Sequence, residues 1–190
     1  MNLPAQYSAP GPHYPLSDGQ IASYNEKGHI LLRSVASRDE VERIRPEIDR
    51  VIAEVAVTND MQGRVDDYSS LFTQVTNIWR MSGTVQAFVC AERFAHIAAS
   101  LMGVRGVRLY HDQALYKPAR GKPTPWHQDQ FYWPLETEHT VTMWMPLIDL
   151  TRDMGTMVFA GGSHRGGSLL DGSISDELHR VFDGLVSERG

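Results

Sequence analysis

The residue types best suited to chemistry lie together in the segment TPWHQD, residues 124–129, which holds the one His-x-Asp of the chain. On a β-strand, side chains two residues apart point to the same face, so His127 and Asp129 would present an imidazole and a carboxylate side by side. These are two of the three ligands in the 2-His-1-carboxylate arrangement that holds non-haem Fe(II) and leaves positions open for oxygen and a co-substrate. By itself the spacing is a weak signal, because a chain of this composition contains about half a His-x-Asp by chance. Taken alone, it favours a strand-end pair whose side chains bond only to backbone or water, and a metal site is the alternative.

Other patterns are less specific. The glycine-rich segment GGSHRGG, residues 161–167, lacks the Gly-Lys-Ser/Thr ending of a phosphate-binding loop, so we interpret it as a turn. No Gly-x-Ser-x-Gly sequence supports a serine nucleophile. His111 alternates into a predicted strand and is interpreted as a packed, hydrogen-bonded histidine. Histidines without a partner pattern are interpreted as structural or exposed: His13, His29, His96 and His139.

Two capping boxes predict the helices of the amino-terminal part. Residues 17–20 (SDGQ) precede a short helix, and residues 37–40 (SRDE) precede apolar positions at helical spacing over 41–55. Pro46 inside the second pattern should bend that helix or shift its start. Between the two helices, the apolar run 28–33 after a glycine predicts a strand.

The character of the chain changes after residue 57. Residues 57–83 are polar and show no period, and Thr84 is the predicted cap of a helix with apolar positions over 85–101 and Gly103 at its end. Alternation then predicts strands, and helical spacing returns near the end: strands over 107–116, 141–147 and 156–160, and a helix over 178–185. Helices first and strands later favour an α+β protein with a helical layer on an antiparallel sheet.

Composition excludes several classes of protein. The 190 residues carry 18 basic and 23 acidic side chains, a net charge of −5, with a pI near 5.9. Without Lys/Arg runs, this balance argues against nucleic-acid binding. No apolar run approaches the roughly 18 residues of a membrane helix, and the amino terminus has no signal-peptide pattern. Cys90 is the single cysteine, which excludes an intramolecular disulfide and a Cys-based zinc site. We expect a soluble, cytoplasmic protein.

Five motifs follow one another in the second half of the chain: VRLYHDQALYKP at 107–118, WHQD at 126–129, TMW at 142–144, DMG at 153–155 and GGSHR at 161–165. With the amino-terminal helices and the glycine between them, they resemble the phytanoyl-CoA dioxygenase family over most of the chain. The resemblance implies a double-stranded β-helix (jelly-roll) core that uses Fe(II), 2-oxoglutarate and O2. It also implies hydroxylation of an unactivated carbon of a small-molecule substrate, with release of succinate and CO2.

The same resemblance makes His127 and Asp129 catalytic metal ligands, and the carboxylate favours hydroxylation, since related halogenases have a small residue at that position. The family's third ligand is a distal histidine, followed about ten residues later by an arginine that pairs with 2-oxoglutarate. The histidines downstream are His139 in a charged turn, His164 in the glycine-rich turn and His179 in the last helix, and none fits. We therefore expect a carboxy-terminally truncated form whose 190 residues alone do not turn over 2-oxoglutarate.

Contacts to 2-oxoglutarate are implied for residues on the inward faces of two strands, namely Gln113, Thr142 and Trp144. Core or strand packing is an equal alternative for each of the three. Lys117, near a strand end, is interpreted as a solvated charge at the rim. The aromatic residues 131–133 either line a substrate wall or pack the sheet.

We therefore predict an arm over residues 1–16 and a single dioxygenase-like domain over 17–190, a jelly roll with the amino-terminal helices packed on it. Two alternatives remain. One is a non-catalytic, cupin-like small-molecule-binding module with a vestigial His-x-Asp, and the other is a zinc enzyme that does not use 2-oxoglutarate. Nothing in the sequence selects among acyl-CoA, amino-acid and natural-product substrates or sets an oligomeric state.

Overall fold

A computed structural model describes residues 11, 13–58, 73–117, 119, 124–167 and 176–189. Over these ranges the chain is mixed helix and sheet, in agreement with the predicted α+β class. The helices are α1 (Asp18–Lys27), α2 (Arg38–Thr58), α3 (Gly83–Val89), α4 (Glu92–Met102) and α5 (Asp176–Arg189), and the strands are β1 (Thr73–Thr76) and β2 (Gln113–Tyr116). No helix in the described part of the chain combines the length and apolarity needed to cross a bilayer.

The chain divides into two compact units. The first comprises Met1–Pro15 and Leu32–Lys122, and the second comprises Leu16–Leu31 and Pro123–Gly190. The single domain expected over 17–190 stays a prediction. Most of the expected arm, residues 1–10 and 12, lies outside the described residues.

Both predicted capping boxes are present. The Ser17 hydroxyl accepts from the N–H of Gln20 at 3.2 Å, and the Gln20 side chain accepts from the N–H of Ser17 at 2.9 Å. Ser37 and Glu40 make the same two hydrogen bonds at the start of α2. Each pair satisfies backbone donors that have no partner inside the helix. Because α2 begins at Arg38, Pro46 does not shift the start of this helix.

The apolar core of the first unit is built by helices α2, α3 and α4 together with the two strands. Its buried side chains are Ile44, Ile48, Val51, Val75, Ile78, Val85, Phe88, Ala91, Phe94, Ile97, Leu101 and Ala114. Phe88 and Phe94 pack edge to face, with ring centroids 5.2 Å apart. Burial of these side chains is the main favourable contribution to the stability of this unit.

The single helix predicted from Thr84 is two helices, and the residue that caps the first one differs from the prediction. The Ser82 hydroxyl accepts from the N–H of Val85 and donates to the carboxylate of Glu47 on α2. Ser82 can satisfy a helix donor and a neighbouring helix together, which explains why it is the cap. Ala91 is extended, with φ −60° and ψ 137°, and separates α3 from α4. Gly103 ends α4 as predicted, with φ 66°.

The sheet of the described residues consists of β1 and β2, paired antiparallel. Val75 pairs with Ala114, and both side chains are buried. β1 falls in the 57–83 segment, where the sequence shows no hydrophobic period, so no strand was predicted there. Of the strand predicted over 107–116, only the last four residues pair.

Three further strand predictions are wrong, namely those over 28–33, 141–147 and 156–160. In the described part of the chain these segments are irregular and have no ladder of hydrogen bonds to a neighbour. An alternating pattern becomes a strand only where another strand satisfies its backbone groups. The jelly-roll barrel is accordingly not seen among the described residues.

The second unit is joined by contacts between α1 and the 156–167 segment. The N–H of Gly162 donates to the carbonyl oxygen of Lys27 at 2.8 Å. His29 stacks on Phe159 with ring centroids 4.8 Å apart. Phe182 on α5 is buried, at 6% exposure. One backbone hydrogen bond and one ring stack therefore join the end of α1 and His29 to the 156–167 segment without strand pairing.

Arg93 should be the polar residue on which the stability of the first unit depends most. Its guanidinium pairs with both Glu40 oxygens and donates to the carbonyl oxygens of Gly11 and Val35, and the paired side chains are 14% and 13% exposed. Removing one partner of a buried pair leaves the other unsatisfied. We expect Arg93→Ala to lower the free energy of unfolding, measured in urea, by about 3 kcal/mol.

Arg45→Ala is the matched control, since Arg45 and Asp49 are both 52% exposed, and it should cost about 0.5 kcal/mol. Burial alone would raise the pKa of Glu40, but hydrogen bonds from Ser37 and Arg93 outweigh it and lower that pKa. The stabilisation is thus present above the unfolded pKa of about 4.3 and is lost as pH falls through the folded value. Equal costs for the two variants at neutral pH would contradict this role of Arg93.

Candidate functional site

The imidazole of His127 is held by the residue two positions before it. Nδ1 of the ring lies 2.8 Å from the carbonyl oxygen of Pro125. Because a carbonyl oxygen only accepts, the proton of the neutral ring sits on Nδ1 and the lone pair on Nε2. Nε2 lies 3.3 Å from Oδ1 of Asp129, and the two side chains are 29% and 48% exposed. The ring is therefore held in one tautomer, with its available nitrogen beside a carboxylate.

The strand predicted to present this pair is absent. Asp129 begins a 3-10 turn, Asp129–Tyr132, and Gln128 before it is extended, with φ −114° and ψ 123°. One extended residue brings the side chains on either side of it toward the same face. Local geometry at Gln128 is what places the imidazole beside the carboxylate.

The carboxylate changes the protonation of the ring. Hydrogen bonding to Asp129 raises the pKa of His127, partial burial opposes the rise, and the bond to Pro125 adds to it. Relative to the unfolded chain, folding therefore favours the charged form of the ring. This stabilisation is fully present below the unfolded pKa of about 6.5 and is lost as pH rises through the folded value.

Two hydrogen bonds to residues far along the chain hold the segment that carries the pair. The backbone N–H of Trp126 donates to Nδ1 of His179 on α5 at 3.2 Å. The side-chain amide of Gln128 donates to the carbonyl oxygen of Gly167 at 2.9 Å. Sequence reasoning missed Pro125 and His179 as supports of the site. Pro125 lies two residues before His127, and this position could have indicated its role as a support. No local sequence pattern indicated a role for His179.

Of the two predicted 2-oxoglutarate contacts in the second unit, Thr142 is the one that the structure brings to the pair. Its hydroxyl donates to Oδ2 of Asp129 at 3.3 Å. Trp144, two residues further along, is 41% exposed. Phe131 and Tyr132 pack edge to face with centroids 5.1 Å apart, and both are exposed. These aromatic rings lie on the same turn as Asp129. The sequence left two interpretations of residues 131–133 open, a wall of the substrate site or packing on the sheet.

Gln113 lies on β2, in the first unit. Its Nε2 is 2.7 Å from Nε2 of His111, and its Oε1 accepts from Gln74 at 2.9 Å. Both ends of the amide are thus engaged on the face of the two-stranded sheet, and His111 is hydrogen-bonded as expected. Lys117, just after β2, is exposed as expected of a rim charge. The contact of Gln113 with 2-oxoglutarate stays a prediction.

His164 lies against the end of α1. Its Nε2 is 3.2 Å from the carbonyl oxygen of Asn25, and a Cβ added at Gly28 would overlap its ring. Gly28 also has φ 76°, which disfavours any other residue. The interpretation of 161–167 as a structural turn agrees with these contacts.

The structure brings two candidate metal ligands together. Among the described residues, no group of three His, Cys, Asp or Glu side chains is placed to hold a metal ion. His139 is exposed, and His179 bonds to the Trp126 backbone. The third protein ligand of a facial triad is therefore not supplied by the described part of the chain.

Replacing Asp129 should change the titration of its neighbour. In the metal-free protein we expect Asp129→Asn to lower the pKa of His127, because the asparagine amide carries no charge to stabilise the imidazolium. Imidazole resonances followed by NMR across pH 5 to 8 measure the change, with the unmodified chain as the reference. An unchanged His127 titration would contradict the 3.3 Å contact.

His164 should matter for stability and not for metal. We expect His164→Asn to lower the free energy of unfolding by about 1 kcal/mol, because the hydrogen bond to Asn25 and the packing on Gly28 are lost. Its affinity for Co(II), used as a stand-in for Fe(II), should equal that of the unmodified chain. A folded His164→Asn variant that no longer binds metal would make His164 a ligand.

Residues 24–178 match the Phytanoyl-CoA dioxygenase (PhyH) family. Among curated proteins, the chain is 24% identical over 153 residues to a probable alpha-ketoglutarate-dependent hypophosphite dioxygenase of Stutzerimonas stutzeri, covering 77% of this chain and 53% of that protein. It is 26% identical over 167 residues to the ectoine dioxygenase of Streptomyces anulatus, covering 85% and 56%.

The chain is also 24% identical over 159 residues to the peroxisomal phytanoyl-CoA dioxygenase of Mus musculus, covering 75% of this chain and 46% of that protein. It spans about half the length of these relatives. No solved structure matches the chain significantly. The family match takes in His127, Asp129 and Thr142 together with most of the chain, so the resemblance found in the motifs is confirmed and this chain belongs to the phytanoyl-CoA dioxygenase family.

Proposed function

We propose that the chain forms part of an Fe(II)- and 2-oxoglutarate-dependent oxygenase that hydroxylates an unactivated carbon of a small molecule and releases succinate and CO2. Membership of a family of dioxygenases supports oxygenase activity in general. The observation that carries the metal assignment is the state of His127, whose Nδ1 is held by Pro125 while Nε2 faces Asp129.

The donor set fits Fe(II). Histidines that bind metals nearly always donate their other ring N–H to a carbonyl or carboxylate, which fixes the ring and raises its basicity. His127 has this arrangement, and Asp129 adds the anionic oxygen that non-haem iron sites use. Bound iron would supply the activation of O2 for the coupled oxidation of 2-oxoglutarate and substrate.

The residues around the pair keep it in place. Trp126, Gln128 and Asp129 each make a hydrogen bond to a different part of the second unit. Since protons compete with metal for Nε2, the raised pKa of His127 moves the loss of metal binding on acidification to a higher pH than an unperturbed imidazole would give.

Two features of the proposed enzyme are not seen among the described residues. One is the jelly-roll barrel, which the family resemblance implies. The other is a third protein ligand, since the described residues bring two together. Relatives named for hypophosphite, ectoine and phytanoyl-CoA differ widely in substrate, so the proposal extends to a small molecule and no further.

A non-catalytic binding module is the second candidate, and the two-ligand site is the observation that favours it. In such a module, the pair would hold a metal or a polar ligand without supporting oxidation. The oxygenase and the binding module predict different results when 2-oxoglutarate is added to the metal-loaded protein.

We expect His127→Ala and Asp129→Ala each to reduce Fe(II) affinity by at least tenfold, measured by anaerobic titration, because each removes one of two protein ligands. The matched controls are His139→Ala, which removes an exposed histidine, and Asp153→Ala, which removes an aspartate bonded to Thr151. Both controls should bind Fe(II) as the unmodified chain does.

Anaerobic addition of 2-oxoglutarate should then produce the visible charge-transfer absorption of an iron–2-oxoglutarate complex, absent from both site variants. Fe(II) bound with no such absorption would favour the binding module. Fe(II) affinity that is the same in His127→Ala as in the unmodified chain would refute the metal site itself.

A further inference from the structure

The two oxygens of the Asp129 carboxylate face different partners. Oδ2 accepts a hydrogen bond from the Thr142 hydroxyl at 3.3 Å, and Oδ1 lies 3.3 Å from Nε2 of His127. The side chain is about half exposed, at 48%, so burial alone does not fix its orientation. The two contacts orient its two oxygens toward different groups.

The segment that carries Thr142 is itself tied to the residue after Asp129. The Gln130 side-chain amide donates to the carbonyl oxygen of Thr137 at 3.1 Å and accepts from the Thr140 hydroxyl at 3.1 Å. Gln130 thereby clamps residues 137–140 beside the turn that Asp129 begins. A β-branched side chain such as that of Thr142 also has few χ1 options, so its hydroxyl is delivered to one place.

We propose that Thr142 is a positioning residue for the metal site: its hydroxyl holds Oδ2 of Asp129 so that Oδ1 is directed to the metal beside Nε2 of His127. This inference rests on the proposed function, since it takes the two residues as ligands. It replaces the direct contact with 2-oxoglutarate that the family resemblance implied for Thr142.

The chemistry of a hydroxyl separates the two roles. Thr142 has one hydroxyl proton, and donating it to Asp129 leaves none to donate to an oxygen of 2-oxoglutarate. A hydrogen-bonded neighbour that orients a ligating group typically contributes ten- to hundredfold in metal affinity. A residue that only contacts 2-oxoglutarate would leave metal affinity untouched.

The test compares Co(II) dissociation constants from calorimetric titration of the 190-residue chain and four variants. Thr142→Val removes the hydroxyl at nearly constant shape and should weaken Co(II) binding about ten- to hundredfold. Thr142→Ser keeps the hydroxyl and should restore affinity to within about threefold of the unmodified chain. Thr151→Val is the matched control, because Thr151 also donates to an aspartate, Asp153, outside the site. His127→Ala reports whether the metal is at the proposed site.

The outcomes distinguish the positioning role of Thr142 from the proposed metal site itself. Loss in Thr142→Val with rescue in Thr142→Ser, at an unchanged unfolding temperature, supports the positioning role. If His127→Ala loses Co(II) while Thr142→Val binds it as the unmodified chain does, the positioning role is wrong and the proposed function stands. If His127→Ala binds Co(II) unchanged, the proposed site and the role of Thr142 are both wrong.

Discussion

A hydrogen bond from Nδ1 of His127 to the carbonyl oxygen of Pro125 determines what the candidate site can do. A carbonyl oxygen only accepts, so the ring cannot exchange its nitrogens without losing the bond. Nε2 is then the one nitrogen available to a metal, and its direction is set by the backbone. Whether the site can bind a metal depends on how other groups lie around that fixed nitrogen. These groups are the carboxylate of Asp129, the extended backbone of Gln128 and the hydroxyl of Thr142.

The second unit holds this nitrogen in place mostly with polar contacts. Its helix α5 buries Phe182, while Trp144, Val158 and Phe159 are 41%, 60% and 52% exposed. A single hydrogen bond contributes about 1 kcal/mol net, so the site depends on several acting together. His179, Gly167 and Thr142 each support a different residue of the 126–129 segment. Loss of any one contact is expected to loosen the pair without unfolding the unit.

The first unit is organised differently. Its helices and strands share an apolar core, and its principal polar contact, Arg93 with Glu40, is mostly buried and bidentate. Burial strengthens that pair and also makes either partner costly to remove alone. Ser82 shows the same principle on a smaller scale, since it caps α3 and bonds Glu47 at the same time. Packing sets the geometry here, whereas in the second unit hydrogen bonds do.

The sequence by itself determined the features that arise from near neighbours in the chain. The capping boxes at 17–20 and 37–40, the glycine that ends α4 and the proximity of His127 to Asp129 all depend on residues within four positions of one another. The family was also readable from the motifs and their order. These features can be predicted without knowing the rest of the structure.

Only the tertiary structure decided which alternating segments pair as strands and which acceptor each polar side chain finds. β1 has no periodic signal and pairs, whereas 141–147 has one and does not. Gln113 bonds Gln74, and Thr142 bonds Asp129, at separations of 39 and 13 residues. The physical reason is that a backbone ladder or a hydroxyl bond needs a partner in space, and a residue's own neighbours in the chain carry no information about which distant group will be there.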